Sequence, residues 1–376
     1  MRVLRALLVV LVLLCAPLFV AQGIANSRQS PALLGWNGFW QANVARQFVM
    51  VQMEAGQPVM AIRDGGIDLA KDAFAKEPFA TDALFLIASS LRANGAENEA
   101  ATLVTRGLSL DKRNRYLGAM DIQTAVTIGD FDLALAGIER LYRTSPSLSD
   151  GFLNAFKTIL AQDGAEDIML RALERRPVWA NAFWTMVPPE PESVRRLYNL
   201  RLLTDEGTSE DTDARLLAGL AATEQYATVF ALWDYLNEGS GNPTGFVATG
   251  GDGTLGWQVP EGETGHFSER GNGEFRLFVD ARESRELARQ LVRLQPGRYA
   301  FSADFSPKTA AENFTASVQC AVNSPNEPIE QSLSTAAEFV ISDQCAFYWL
   351  VLTGNAWERR TPLEATVSNM QLVGRD

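Results

Sequence analysis

Few residues in this chain could carry chemistry, and each is identifiable by type and spacing. The only histidine is His266, in Glu263-Thr264-Gly265-His266-Phe267. One imidazole removes most metal sites and most Ser-His or Cys-His nucleophile pairs. It reads as a surface or hydrogen-bonded histidine. With 45 acidic residues, no single carboxylate pair stands out as an acid/base couple. Asp252, in Gly250-Gly251-Asp252-Gly253, reads as a glycine turn, with a structural calcium ligand as the sharper alternative. The same segment lacks the Lys-Ser/Thr of a phosphate loop. No catalytic residue, cofactor or metal set is therefore assigned.

Sugar binding asks for something else: an aromatic face for the C–H side of a pyranose, with polar groups beside it for the hydroxyls. Candidate ligand-binding residues lie off the apolar phase or in loops. Trp357 sits in the polar stretch Asn355-Ala356-Trp357-Glu358-Arg359-Arg360. Tyr348 and Phe278 point opposite to their apolar neighbours, and Arg276 and Gln319 could supply hydrogen bonds if they share that face. Phe301, Phe305, Phe347, Trp349 and Trp257 read as core.

Of the three cysteines, Cys15 falls in the N-terminal apolar run, which leaves Cys320 and Cys345. In an exported domain two such residues read as a disulfide, with two buried free thiols as the alternative. Export is indicated by Arg2 and Arg5 ahead of the apolar run Ala6 to Ala21. Residues 1–25 are either a signal peptide, cleaved after Gly23-Ile24-Ala25, or an uncleaved anchor from about Leu4 to Ile24. Leu14 is too large a neighbour for lipidation of Cys15. Either way the body is expected on the outer, periplasmic side of an inner membrane. The formal charge of −12 argues against nucleic acid and anionic lipid as partners, because phosphate binding needs Lys/Arg clusters. The membrane is met through the N-terminal segment alone.

Residues 26–39 read as a linker ending in Trp36, Phe39 and Trp40, which would cap the first helical pair or lie at the membrane interface. From about 40 to 240 the period is helical, as in Leu84, Ile87, Ala88 and Leu91. Gly129 follows Gly95 by 34 positions, Ala134 follows Ala100 by 34, and Pro146 follows Pro78 by 68. Gly164 continues at 35, with Pro177 after the next helix. On Ala88, Gly95, Ala100 and Gly107, then Gly129, Ala134 and Pro146, this half resembles the tetratricopeptide repeat, a helix-turn-helix unit of 34 residues. It departs from that pattern at Leu141, where a small residue is usual, and at Lys112, where proline is. The resemblance implies an all-α solenoid with a groove for a protein partner, to which Arg92 and Asn94 would point. Pro188, Pro189 and Pro191 interrupt any helix, and Thr204 to Asp213 reads as a loop. Leu216, Leu220, Phe230, Leu232, Trp233 and Leu236 form a closing hairpin expected to dock the next domain.

Past Pro243 the period becomes two, over Leu255-Trp257-Val259, Phe275-Leu277-Val279, Tyr299-Phe301-Ala303-Phe305, Phe314 to Val322, Cys345-Phe347-Trp349-Val351 and about Leu363 to Leu372. Residues 241–376 are expected to form a β-sandwich. On Gly256-Trp257, Arg289-Gln290, Leu294-Gln295-Pro296-Gly297-Arg298-Tyr299 and Val367-Ser368-Asn369-Met370-Gln371-Leu372, this half resembles jelly-roll carbohydrate-binding modules. The whole arrangement resembles envelope proteins associated with bacterial exopolysaccharide production. The reading is a non-enzymatic adaptor that binds a protein through the repeats and a polysaccharide or second protein through the sandwich. The alternatives are a carboxylate-based polysaccharide-degrading enzyme and a purely structural scaffold.

Overall fold

The computed structural model describes residues 36–54, 57–144, 149–237, 246–247, 254–260, 264–271, 273–322, 329–334 and 336–375, with scattered positions between 12 and 20. The apolar run Ala6 to Ala21 lies largely outside them, as do Asp252 and Pro146. Among the described residues no helix is long and apolar enough to cross a membrane. Helices fill the first part and antiparallel sheets the last. The chain forms two compact units, Met1–Phe183 and Trp184–Asp376, so the helices after Trp184 group with the sheets.

In the first unit, α1 (Gly38–Arg46) is followed by an antiparallel hairpin of β1 (Val49–Glu54) and β2 (Gln57–Ile62). An unbroken helical half is therefore not what forms. Both strands are short and alternate weakly, a pattern that periodicity cannot separate from a buried helix turn. Then come α2 (Gly66–Lys76), α3 (Asp82–Ala93), α4 (Glu97–Leu110), α5 (Arg115–Thr127), α6 (Phe131–Thr144), α7 (Ser149–Leu160), α8 (Ala165–Leu173) and the short α9 (Ala180–Thr185), which runs across the division.

Gly95 and Gly129 end α3 and α5 in the same way. Each has φ near +77°. The amides of Ala96 and Asp130 donate to Leu91 and Ala125, and those of Gly95 and Gly129 donate to Arg92 and Val126. This double closure satisfies the last carbonyls and needs a left-handed residue, hence glycine. Gly164, φ +75°, precedes α8 in the same conformation. Where helices cross, one side is small. A Cβ on Gly107 would come within 2.5 Å of Leu117. At the equivalent position one period later stands Leu141, and the small partner moves across to Gly118, where a Cβ would meet Leu141 at 2.7 Å. So α5 packs against a gap on α4 and supplies the gap for α6.

In the second unit, α10 (Pro191–Leu203) begins on Pro191, whose missing N–H costs nothing in a first turn. The next helix, α11 (Glu210–Ala222), is capped by Ser209 with Thr212 answering back, so Glu210 to Asp213 belong to its first turn and not to a loop. Arg201 of α10, almost wholly buried, donates two hydrogen bonds to Asp213 at 2.6 and 3.0 Å and one to Asp205 at 2.6 Å. These bonds hold the guanidinium above its usual pKa against burial. The last helix is α12 (Tyr226–Leu236).

One sheet has the order β10 (Ala337–Ile341), β7 (Gly297–Ser306), β12 (Leu363–Arg375), β5 (Glu274–Val279), β4 (Gly265–Gly271), with β3 (Phe246–Val247) pairing β12 off that path. The other has the order β6 (Ser284–Arg293), β11 (Phe347–Asn355), β8 (Phe314–Cys320), β9 (Ile329–Ser332). They share one core, in which Phe275, Leu277 and Phe301 of the first sheet join Leu287, Phe314, Leu350 and Leu352 of the second. Leu255 to Val259 makes no strand; its one ladder contact is a bridge from Gln258 to Arg289.

Candidate functional site

On β11 the two phases are the reverse of the sequence expectation. Tyr348, Leu350 and Leu352 enter the shared core. Phe347 and Trp349 are on the opposite face, half-buried. That face is covered by α12. Phe230 stacks on Phe347 with ring centres 5.5 Å apart, and Tyr226 meets Trp349 edge-on at 6.2 Å. Arg293 pairs with Asp234 at 3.1 Å and lies over the Phe230 ring. A strand with cover on both sides is apolar in both phases, as Phe347-Tyr348-Trp349-Leu350-Val351-Leu352 is, so alternation could not tell which phase faced the core.

This reversal rearranges the candidate ligand residues. Tyr348 is only 7% exposed, and its hydroxyl donates to the carbonyl of Cys345 at 2.8 Å; burial pushes its pKa up. It presents no face to a sugar. Phe278 and Arg276 lie on the outer side of the first sheet, where Arg276 pairs with Glu364 at 3.2 Å and His266 stands exposed opposite Phe278. Gln319 belongs to the second sheet, opposite Trp349 across the β8–β11 ladder, so it shares no face with Arg276. It lines a cavity of about 70 Å³ beside Cys320 and Cys345, room for a few waters at most. Trp357 is 68% exposed in the loop after β11, where its amide donates to the Asn355 side chain. At the rise of a strand, that end of β11 lies about 20 Å from Trp349. The five residues form no single site.

The two cysteines are joined, with Cα atoms 6.0 Å apart. A disulfide fits an oxidising, extracytoplasmic compartment. In the first unit, Arg92 donates to Gln123 and Thr124 of α5 and pairs with Glu97, so it ties neighbouring helices together. Asn94 bonds back to the carbonyl of Ser90.

A larger feature went unseen in the sequence. Within the second unit, a groove of about 820 Å³ runs between α11–α12 and the helix-covered sheet. That is the size range of small-molecule sites. Its helical wall is a stripe of small side chains, Ala214, Ala218, Ala221 and Ala222, with the Asp211–Arg215 ion pair at 2.9 Å. Its sheet wall is Trp349 with the Arg289 guanidinium 4.7 Å above the ring, next to Gln258 and Thr254. Tyr226 and Glu224 stand at the turn between the two helices. Burial, then the Glu224 charge, pushes the Tyr226 pKa up, while Arg289 opposes the shift.

The turn repeats the closure seen at Gly95 and Gly129. The amide of Gln225 donates to Leu220 and that of Glu224 to Ala221. Here the left-handed position holds glutamate, with φ +58°. A non-glycine residue there costs about 1–2 kcal/mol, and the side chain it brings lines the groove. The alanines at helical spacing on the exposed face of α11 were the one sequence signal; the sheet wall could be joined to them only by the fold. Among the described residues no three His, Cys, Asp or Glu side chains cluster as a metal site. No protein-family model matches the chain, and no curated protein matches it.

Proposed function

We propose that this protein is a non-enzymatic adaptor of the cell envelope, which holds a glycan in the second unit and a protein partner on the helical pairs of the first. The observation that carries the glycan half is the groove itself: a half-buried indole and polar side chains of both signs around a recess of about 820 Å³. Planar polar groups beside an indole suit the vicinal hydroxyls of a sugar. The disulfide and the N-terminal apolar run favour the outer side of a membrane as the place of work. The protein half rests on the resemblance of the helical pairs to partner-binding repeats, and a place in exopolysaccharide assembly or export rests on the resemblance of the whole.

The test is a glycan array read with the whole protein and with Trp349→Ala, alongside pull-down from envelope extracts. Retention of sugar chains that Trp349→Ala loses is the expected result. No glycan bound and no partner retained would end this reading. A second reading, a carboxylate-based glycosidase, draws on Asp211 and Glu224 lining one groove. Release of reducing ends from a bound chain, abolished by Glu224→Gln, would put it ahead.

A further inference from the structure

We propose that the chain held in the groove carries carboxylates, and that Arg289 is the residue that reads them. This rests on the glycan reading above and sharpens it to acidic polysaccharides.

Among the cations of the second unit near the groove, Arg215 is taken by Asp211 at 2.9 Å and Arg293 by Asp234 at 3.1 Å. Arg289 is different. Its nearest carboxylate oxygen, on Glu286, is 3.9 Å away, beyond hydrogen-bond length. Its guanidinium donates no hydrogen bond among the described residues, and it lies over the Trp349 ring, 4.7 Å from the ring centre. A planar fork of unused donors lining a recess matches a carboxylate in two-point geometry. The stacked pose reduces the rotamer freedom that binding would otherwise cost.

A sugar acid suits the groove better than an acidic peptide. The backbone of Arg289 already exchanges hydrogen bonds with Gln258, at 2.7 and 2.9 Å, so beside this guanidinium the edge of β6 is already taken. The remaining lining supplies what hydroxyls need: carboxylates at Asp211 and Glu224, an amide at Gln258, and an alanine floor that leaves room for a ring.

The experiment compares a hexameric uronate with the same chain carboxyl-reduced to its neutral hexose, by titration calorimetry on the whole protein at low and at physiological salt. The uronate should bind about tenfold more tightly, as a charge-assisted pair implies. Arg289→Gln should erase that difference and its salt dependence, and Arg289→Lys should restore part of it. Unchanged thermal melting of both variants separates this from loss of fold. Equal binding of the two chains, indifferent to Arg289→Gln, overturns the inference and leaves the glycan reading standing. Binding of neither chain overturns both. An acidic peptide bound with the same dependence on Arg289 overturns the assignment to sugar.

Discussion

The two sheets of the second unit are built from similar strands and differ in what lies on their outer sides. On the first sheet, β5 keeps strict alternation: Phe275, Leu277 and Val279 go in, and Glu274 and Arg276 stay out. On the second, the outer side of β6 and β11 carries Leu291, Phe347, Trp349 and Val351, with α12 packed on it. The lesson is that a break in alternation reports a neighbour. Where both phases of a strand are apolar, something covers each side, and the rim of that cover is where a groove can open.

The strongest way to break the contrast is to loosen the cover from the helix side. Asp213→Ala would leave Arg201 buried without its two-point partner, and loss of one member of such a pair costs about 3–5 kcal/mol. Urea unfolding should show that loss. A next step sets the two outer faces against each other. Phe347→Ala, under Phe230, should cost about 2 kcal/mol, less than a fully buried phenylalanine, while Phe278→Ala on the uncovered sheet should cost under about 1 kcal/mol. Equal costs would show that the two faces are alike in solution. A third change acts at the rim. Glu224→Gly should stabilise the protein by about 1 kcal/mol, because glycine takes a φ of +58° without strain, and should weaken glycan binding. Stabilisation without any effect on binding would make the glutamate incidental.

The smallest effect is in alkali. Tyr226 and Tyr348 both have raised pKa values, chiefly through burial, so the folded state holds their protons longer than the unfolded chain does. Stability is then intact below about pH 10, the ordinary tyrosine value, and falls as pH rises from there through the raised values. Melting temperatures followed from pH 9 upward should decline less in Tyr226→Phe than in the parent. An unchanged slope would mean that the helix cover does not shield this hydroxyl.

Much of the fold was legible because its signals are local. Gly95, Gly129 and Gly164 mark turns that need a left-handed backbone, and all three have it. The alternation of β5, β7 and β8 placed their apolar residues in the core, and Cys320 and Cys345 are bonded to each other. What failed was non-local. The β1–β2 hairpin is the local exception, because its six-residue strands lack the alternation that β5 shows at the same length. The facing of Phe347 and Trp349 depends on a helix more than a hundred residues earlier in the chain. Trp357 lies in an exposed loop as its polar setting implied, but Arg276, Phe278, Gln319 and Tyr348 scatter over two sheets and the core, because phase alone does not say which sheet a strand joins. The groove was illegible for the same reason: its walls come from Asp211 to Tyr226 and from Thr254 to Trp349.

The cover on the second sheet also decides how the chain can be cut. A fragment excised just ahead of Pro243 would leave Leu291, Phe347 and Trp349 wet and side by side, an adhesive patch that invites clumping. One begun at Trp184 would carry its own lid of helices.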